Sequence, residues 1–221
     1  MRIPVALFLF ALLSVTAVSA ASAKSPQRSK TWTWAFDADT LGRPPGNTGV
    51  FGGTWEVVVD SSSAPDSAAA ARRILRQSET DDGIDFHYVQ FTKPVLNDLA
   101  ASVRFRIESG DIDPTAGILF QLDKKGKSGY LVRVSGQRKA IIAHYLLYGK
   151  RRDLKIASID PPEPGTWHTL AIERKGSVLV VSYDGKECFQ VRDERYSRGS
   201  VGLWTEDDTV ADFADLQVST R

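Results

Sequence analysis

Cysteine is nearly absent from this chain. Its 221 residues hold one, Cys188. That excludes an intrachain disulfide, and with three histidines in the whole chain it also excludes a zinc site of the usual Cys/His type. A domain of about 200 residues buries enough surface to stand without such staples. Cys188 falls in a strand pattern and reads as a small, buried or half-buried apolar residue. An excess of either charge is missing too: 28 Lys and Arg face 27 Asp and Glu. A balanced chain has no electrostatic reason to seek nucleic acid or anionic lipid, so Lys150-Arg151-Arg152 reads as a solvated turn. Past the first residues no run is long and apolar enough to cross a membrane, which argues against stable insertion. Sustained helical periodicity is also missing. The exception is Asp66 to Gln77, where an alanine run could form one helical turn capped by Asp66 before Arg-Ile-Leu-Arg-Gln turns strand-like.

The first residues have a recognisable order. Arg2 gives a short positive start, and Ile3 to Leu13 is almost wholly apolar. Small residues then crowd into Val18-Ser19-Ala20 and Ala21-Ser22-Ala23. Residues 1–23 therefore read as a secretory signal peptide, and the expectation is an exported protein, periplasmic or extracellular. Residues 24–30 read as a disordered lead-in. Residues 31–221 read as one domain.

Within that domain the side chains alternate with period two. Val103, Phe105 and Ile107 face one way, while Ser102, Arg104, Arg106 and Glu108 face the other. Ile118, Phe120 and Leu122 repeat the pattern, as do Tyr130, Val132 and Val134, and His168, Leu170 and Ile172. The stretch from Ala140 to Tyr148 is apolar on both faces and predicts a strand covered on both sides. Glycines and prolines punctuate the strands at intervals suited to an all-β sandwich. Asp184-Gly185 specifies a two-residue type I′ hairpin, because both positions need positive φ. Two antiparallel sheets packed through their apolar faces satisfy the whole pattern.

Particular segments carry a resemblance. Gly165-Thr-Trp-His-Thr-Leu, Val-Val-Ser-Tyr-Asp-Gly-Lys, Gly199-Ser-Val-Gly-Leu-Trp-Thr and Asp-Phe-Ala-Asp-Leu-Gln-Val resemble the closing strands of the concanavalin A-like lectin/glucanase jelly roll. Phe36-Asp37-Ala38-Asp39, Gly53-Thr54-Trp55-Glu56-Val57 and Gly129-Tyr130-Leu131-Val132-Arg133 resemble earlier parts of bacterial exported domains grouped with the 3-keto-disaccharide hydrolase domain. The resemblance implies a concanavalin A-like jelly-roll β-sandwich whose concave sheet holds a glycan or sugar derivative. A hydrolase acting on 3-keto-glycosides and a laminin G-like protein-interaction module are the alternatives. The resemblance also implies a structural calcium tying the first and last strands, with Asp37, Asp39, Asp212 and Asp215 as candidate ligands. The pattern is broken at Lys125 to Tyr130, in place of a polar Asp-Asn-Tyr step, and at Phe213-Ala214-Asp215-Leu216.

Glucanases of this fold place Glu-x-Asp-x-x-Glu along one strand, and that spacing is absent here. Asp111-Ile-Asp113 and Glu206-Asp207-Asp208 read as turns. The candidate ligand contacts are therefore cationic, polar and aromatic: Arg104, Arg106, Gln121, Arg133, His144, Tyr148 and Trp204. A guanidinium fork suits paired hydroxyls or a carboxylate, and aromatic rings suit a sugar's apolar face. The same arginines could instead sit on a solvated face and pair with Glu108 and Glu173. His168 reads as a structural histidine.

Overall fold

The computed structural model describes residues 29–62, 72–80 and 86–221. The leader, most of the lead-in and the alanine run at 66–71 lie outside these described residues. No α-helix occurs among them.

The strands in chain order are β1 (Thr31–Trp34), β2 (Thr48–Phe51), β3 (Trp55–Val59), β4 (Arg73–Gln77), β5 (Phe86–Leu96), β6 (Leu99–Ser109), β7 (Thr115–Leu122) and β8 (Gly129–Ser135). They continue with β9 (Ala140–Leu147), β10 (Lys150–Ser158), β11 (Trp167–Lys175), β12 (Val178–Tyr183), β13 (Lys186–Arg192), β14 (Gly199–Glu206) and β15 (Val210–Thr220). They form two antiparallel sheets. The eight-stranded sheet runs β13-β12-β11-β6-β15-β4-β3, with β1 also paired to β15. The seven-stranded sheet runs β10-β9-β8-β7-β14-β5-β2.

Alternation explains the packing. Val103, Phe105 and Ile107 of β6 enter a shared core with Leu170 and Ile172 of β11 and Phe213 of β15. Ile118 and Phe120 of β7, Val132 of β8, Ile141 of β9 and Leu203 of β14 meet them from the other sheet. Each such Leu, Ile, Val or Phe contributes roughly 1.5–3 kcal/mol by leaving water. Cys188 is a half-buried residue of β13 packed at the margin of this core. The Asp184-Gly185 loop has φ of 46° and 77°, as the hairpin prediction requires. β9 is buried on both faces from Ala140 to His144, as its sequence predicts, whereas Tyr145 is half-buried and Leu147 and Tyr148 are exposed.

A second apolar layer lies on the outer face of the seven-stranded sheet. Leu119, Leu122, Leu131, Leu146 and Trp204 are buried there, with Phe86 and Tyr88 packed against them. An outer face turned to solvent would alternate to polar residues. This one does not, and it positions the site.

Candidate functional site

Strand register builds a cross-sheet row on that outer face. Phe51 of β2 pairs with Tyr88 of β5, Tyr88 with Trp204 of β14, Trp204 with Gly117 of β7, and Gly117 with Arg133 of β8. Three aromatic rings thus stand side by side. Phe51 stacks on Tyr88 with centroids 5.0 Å apart and planes 4° apart, and Tyr88 on Trp204 at 5.5 Å and 21°. Phe86, two residues before Tyr88 and on its face, touches the indole at 4.6 Å.

A cavity of about 360 Å³ opens over this row, lined by Phe51, Phe86, Tyr88, Leu146 and Trp204 and rimmed by Gly126, Lys127 and Gly149. Trp204 is 1% exposed and forms its floor. The indole Nε1–H is buried and has no acceptor among the described residues. Two turns frame the opening. The β7–β8 turn is pinned down by Tyr88, whose O–H donates to the Gly126 carbonyl at 2.8 Å. Gly126 has φ of 70°, and a Cβ there would stand 3.1 Å from both the Phe51 ring and the Tyr88 oxygen. The turn therefore lies close on the aromatic row only because this residue is glycine. The β9–β10 turn is Tyr148-Gly149, with φ of 52° and 79°, between the paired residues Leu147 and Lys150. That is a type I′ geometry with a tyrosine at its tip. Tyr148 is 81% exposed.

Beyond Gly117 the face changes from apolar to charged. Arg133, 2% exposed, donates from Nη1 to Asp113 at 2.8 Å and to Thr115 at 3.1 Å, and the same nitrogen lies 2.8 Å from Glu206. Its Nε donates to Nε2 of His144 at 3.3 Å. Arg151 of β10 holds the second oxygen of Glu206 and lies over the Phe86 ring at 5.1 Å. His144 Nδ1 is 2.9 Å from Asp153. Burial and the neighbouring Arg151 and Arg133 push the His144 pKa down to about 3, despite Asp153, so the ring is neutral near pH 7. Burial raises Glu206 against the pull of the two arginines. Burial also works to raise Asp113, but hydrogen bonds from Arg133, Ser135 and the Gln137 N–H hold it below the ordinary carboxylate value. Glu206 closes β14 and turns inward, whereas its sequence reads as part of a turn. Asp113 and Glu206 thus approach each other through one buried guanidinium.

The candidate residues divide between the two sheets. Arg133, His144 and Trp204 share the outer face just described, and Tyr148 is exposed in the β9–β10 turn beside the cavity-lining Gly149. Gln121 lies at a positive-φ position at the far end of β7, where its Nε2 donates to the Asn97 carbonyl at 2.7 Å. Arg104 and Arg106 belong to β6, on the outer face of the other sheet. Arg106 meets Asp212 at 2.6 Å and Glu108 at 2.6 Å, and both guanidiniums lie 4.7 Å from the Trp167 ring. Glu173 pairs with Arg221 rather than with either. One ligand cannot touch both sets, because the sandwich lies between them. His168 lies 2.8 Å from Asp184 and stacks on Tyr183.

The four aspartates do not make a calcium ligand set. Asp212 is fully buried and held at both oxygens by Arg76, at 2.7 and 2.8 Å, with Arg106 added. Burial opposes its charge, but these hydrogen bonds keep its pKa below the ordinary value. Asp215 pairs with Arg72 and Arg104. Asp37 accepts the Arg73 N–H at 3.2 Å, and Asp39 accepts the Gly46 N–H at 3.2 Å while its carbonyl takes the Arg73 guanidinium. Arginines thus occupy the places a hard ion would need at Asp212 and Asp215, while the Asp37 and Asp39 carboxylates accept backbone N–H groups. No group of three or more His, Cys, Asp or Glu among the described residues could hold a metal ion.

Phe51, Phe86, Tyr88, Leu146 and Lys127 are site residues that the sequence reading passes over. A signal was present in β5, where Phe86, Tyr88 and Gln90 alternate with His87, Val89 and Phe91. Both rows carry aromatics, so one of them must face away from the core.

The fold is a concanavalin A-like jelly-roll β-sandwich. Similar solved structures include the carbohydrate-binding module CBM66 from Bacillus subtilis, 17% identical over 77% of this chain and 94% of that one, with a TM-score of 0.64. The exoplasmic/lumenal domain of VIP36 in its Ca2+/Man-bound form is 13% identical over 74% and 82%, with a TM-score of 0.54. A Bacillus subtilis protein of unknown function with a galectin-like fold is 12% identical over 76% and 90%, with a TM-score of 0.53. At these identities the likeness is one of fold. No protein-family model and no curated protein sequence matches the chain.

Proposed function

We propose that this chain is an exported carbohydrate-binding domain, periplasmic or extracellular, whose site is the aromatic-lined cavity on the outer face of the seven-stranded sheet. The observation that carries the reading is the stacked row Phe51–Tyr88–Trp204 beneath that cavity. Sugars present apolar ring faces, and an aromatic-lined surface offers partners for them. Tyr148, next in the chain to the cavity-lining Gly149, is exposed and available to a bound ring. The likeness to CBM66 and to the Man-bound form of VIP36 adds support at the level of fold.

Binding is favoured over turnover. The hydrolase reading draws on the resemblance to the 3-keto-disaccharide hydrolase group. The two carboxyls that approach each other, Asp113 and Glu206, are buried beneath Arg133 and are not free to flank a scissile bond. Calcium is not carried over to Asp37, Asp39, Asp212 and Asp215: arginines hold the last two, and no group of three or more such ligands gathers among the described residues. A glycan array followed by titration calorimetry tests the proposal, with Tyr148→Asn as the informative variant. Asparagine tolerates positive φ, so the hairpin persists while the ring is lost. The expected result is binding in wild type and roughly tenfold weaker binding in Tyr148→Asn at unchanged melting temperature. Absence of binding to every saccharide overturns the proposal.

A further inference from the structure

We infer that the cavity selects sugars that carry apolar or acyl groups in place of hydroxyls: deoxy, O-methyl and acetyl sugars rather than fully hydroxylated ones. The inference rests on the carbohydrate reading above and adds the class of sugar. The lining offers a hydroxyl group very little. Phe51, Phe86 and Leu146 have no polar side-chain atom. Tyr88 has one, and its O–H already donates to the Gly126 carbonyl at 2.8 Å. Trp204 has one, and its Nε1 is itself buried, so the indole fronts the cavity with carbon. Two of the lining glycines are engaged as well. The Gly52 carbonyl accepts the Trp55 Nε1–H at 3.2 Å, and the Gly149 N–H donates to the Lys127 carbonyl at 2.7 Å.

Lys127 is the exception. Its ammonium forms no salt bridge among the described residues, so it is free to donate to an acceptor on a ligand. Arg151 lies over the Phe86 ring, but its guanidinium is paired with Glu206. A hydroxyl turned into such a lining leaves water and finds no partner, which disfavours the fully hydroxylated sugar. A hydrogen or methyl at the same place leaves water favourably and meets the carbon of the rings or of Leu146. An acetyl group adds a carbonyl to which Lys127 can donate. A volume of about 360 Å³ lies at the small end for ligand sites, which cover most of the surface of what they hold. Substituents turned inward therefore lose their hydration.

The test is titration calorimetry of the intact chain against pairs of methyl glycosides that differ at one position. The deoxy pairs are 6-deoxyglucoside with glucoside, fucoside with galactoside of the same hand, and rhamnoside with mannoside of the same hand. The capped pairs are 3-O-methylglucoside and N-acetylglucosaminide, each with glucoside. In at least one pair the deoxy or capped member is expected to bind about tenfold or more tightly, the discrimination that one unsatisfied buried hydroxyl gives. Lys127→Met is expected to weaken both members of a deoxy pair by a similar factor and to leave their ratio unchanged, because the ratio comes from the aromatic lining. A ratio that falls to one in Lys127→Met places the selectivity on the amine and overturns the inference. Equal or tighter binding of the hydroxylated member in every pair, or array hits confined to fully hydroxylated glycans, overturns it and leaves the carbohydrate reading standing. Absence of binding both here and on the glycan array overturns the two together.

Discussion

Arg133 shows how a side chain suited to ligand recognition is put to internal use. Its Nη1 serves Asp113, Thr115 and Glu206, and its Nε serves His144. Truncation would leave the buried Asp113 without its cation and Glu206 with Arg151 alone. Arg133→Met is expected to lower unfolding free energy by about 3–5 kcal/mol, read by urea denaturation, because an uncompensated buried charge costs far more than an exposed one. His144 sets a pH dependence in the same network. Its folded pKa of about 3 lies below the unfolded value of about 6.5. A depressed pKa contributes stability that is complete above pH 6.5 and is lost as pH falls toward 3, by up to about 5 kcal/mol. Urea midpoints measured from pH 7 to pH 4 are expected to fall more steeply in wild type than in His144→Gln. Parallel curves would show that the folded imidazole takes up its proton as readily as the unfolded one and is not held neutral by its surroundings.

At the scale of elements, the two turns decide access to the cavity. The β7–β8 turn lies on Phe51 and Tyr88 because Gly126 combines positive φ with the absence of Cβ. Gly126→Ala is expected to cost about 1–2 kcal/mol and to lift the turn from the aromatic row. Glycan affinity should fall with it, and Tyr88 fluorescence should report a more solvated phenol. Unchanged affinity and stability would show that the turn does not shape the site. The β9–β10 turn is the opposite case, since it keeps a bulky residue in the left-handed region. Strain of that kind persists where surrounding pairing over-determines the backbone, and Leu147–Lys150 pairing does so here.

For the molecule as a whole, the two outer faces have different chemistry. That of the eight-stranded sheet holds the arginine–carboxylate cluster around Asp212, while that of the seven-stranded sheet holds the aromatic cavity. Arg76, Arg106, Asp212 and Glu108 cross-link β4, β6 and β15 through ion pairs, with the arginines at the Asp212 oxygens. Adding EDTA or millimolar calcium is therefore expected to leave the melting temperature unchanged. A calcium-dependent rise of several degrees would mean that a ligand set forms elsewhere.

Alternation by itself specified a great deal. Val103, Phe105 and Ile107 against Arg104 and Arg106 need only the pleat, a local property of period two, so the strands, the inner core and the sandwich follow from the chain read in order. Asp184-Gly185 was equally legible, because its φ requirement belongs to two adjacent residues. Alternation tells which side of its own strand a residue takes, but not which sheet the strand joins. Arg104 and Arg133 therefore look alike in sequence and end on opposite outer faces. Phe51, Tyr88 and Trp204 share a row only because β14 inserts between β5 and β7, and Lys127 meets Gly149 only through a bond between two turns. Those contacts are set by long-range strand pairing, which carries no local period, and so tertiary structure alone assembled the site.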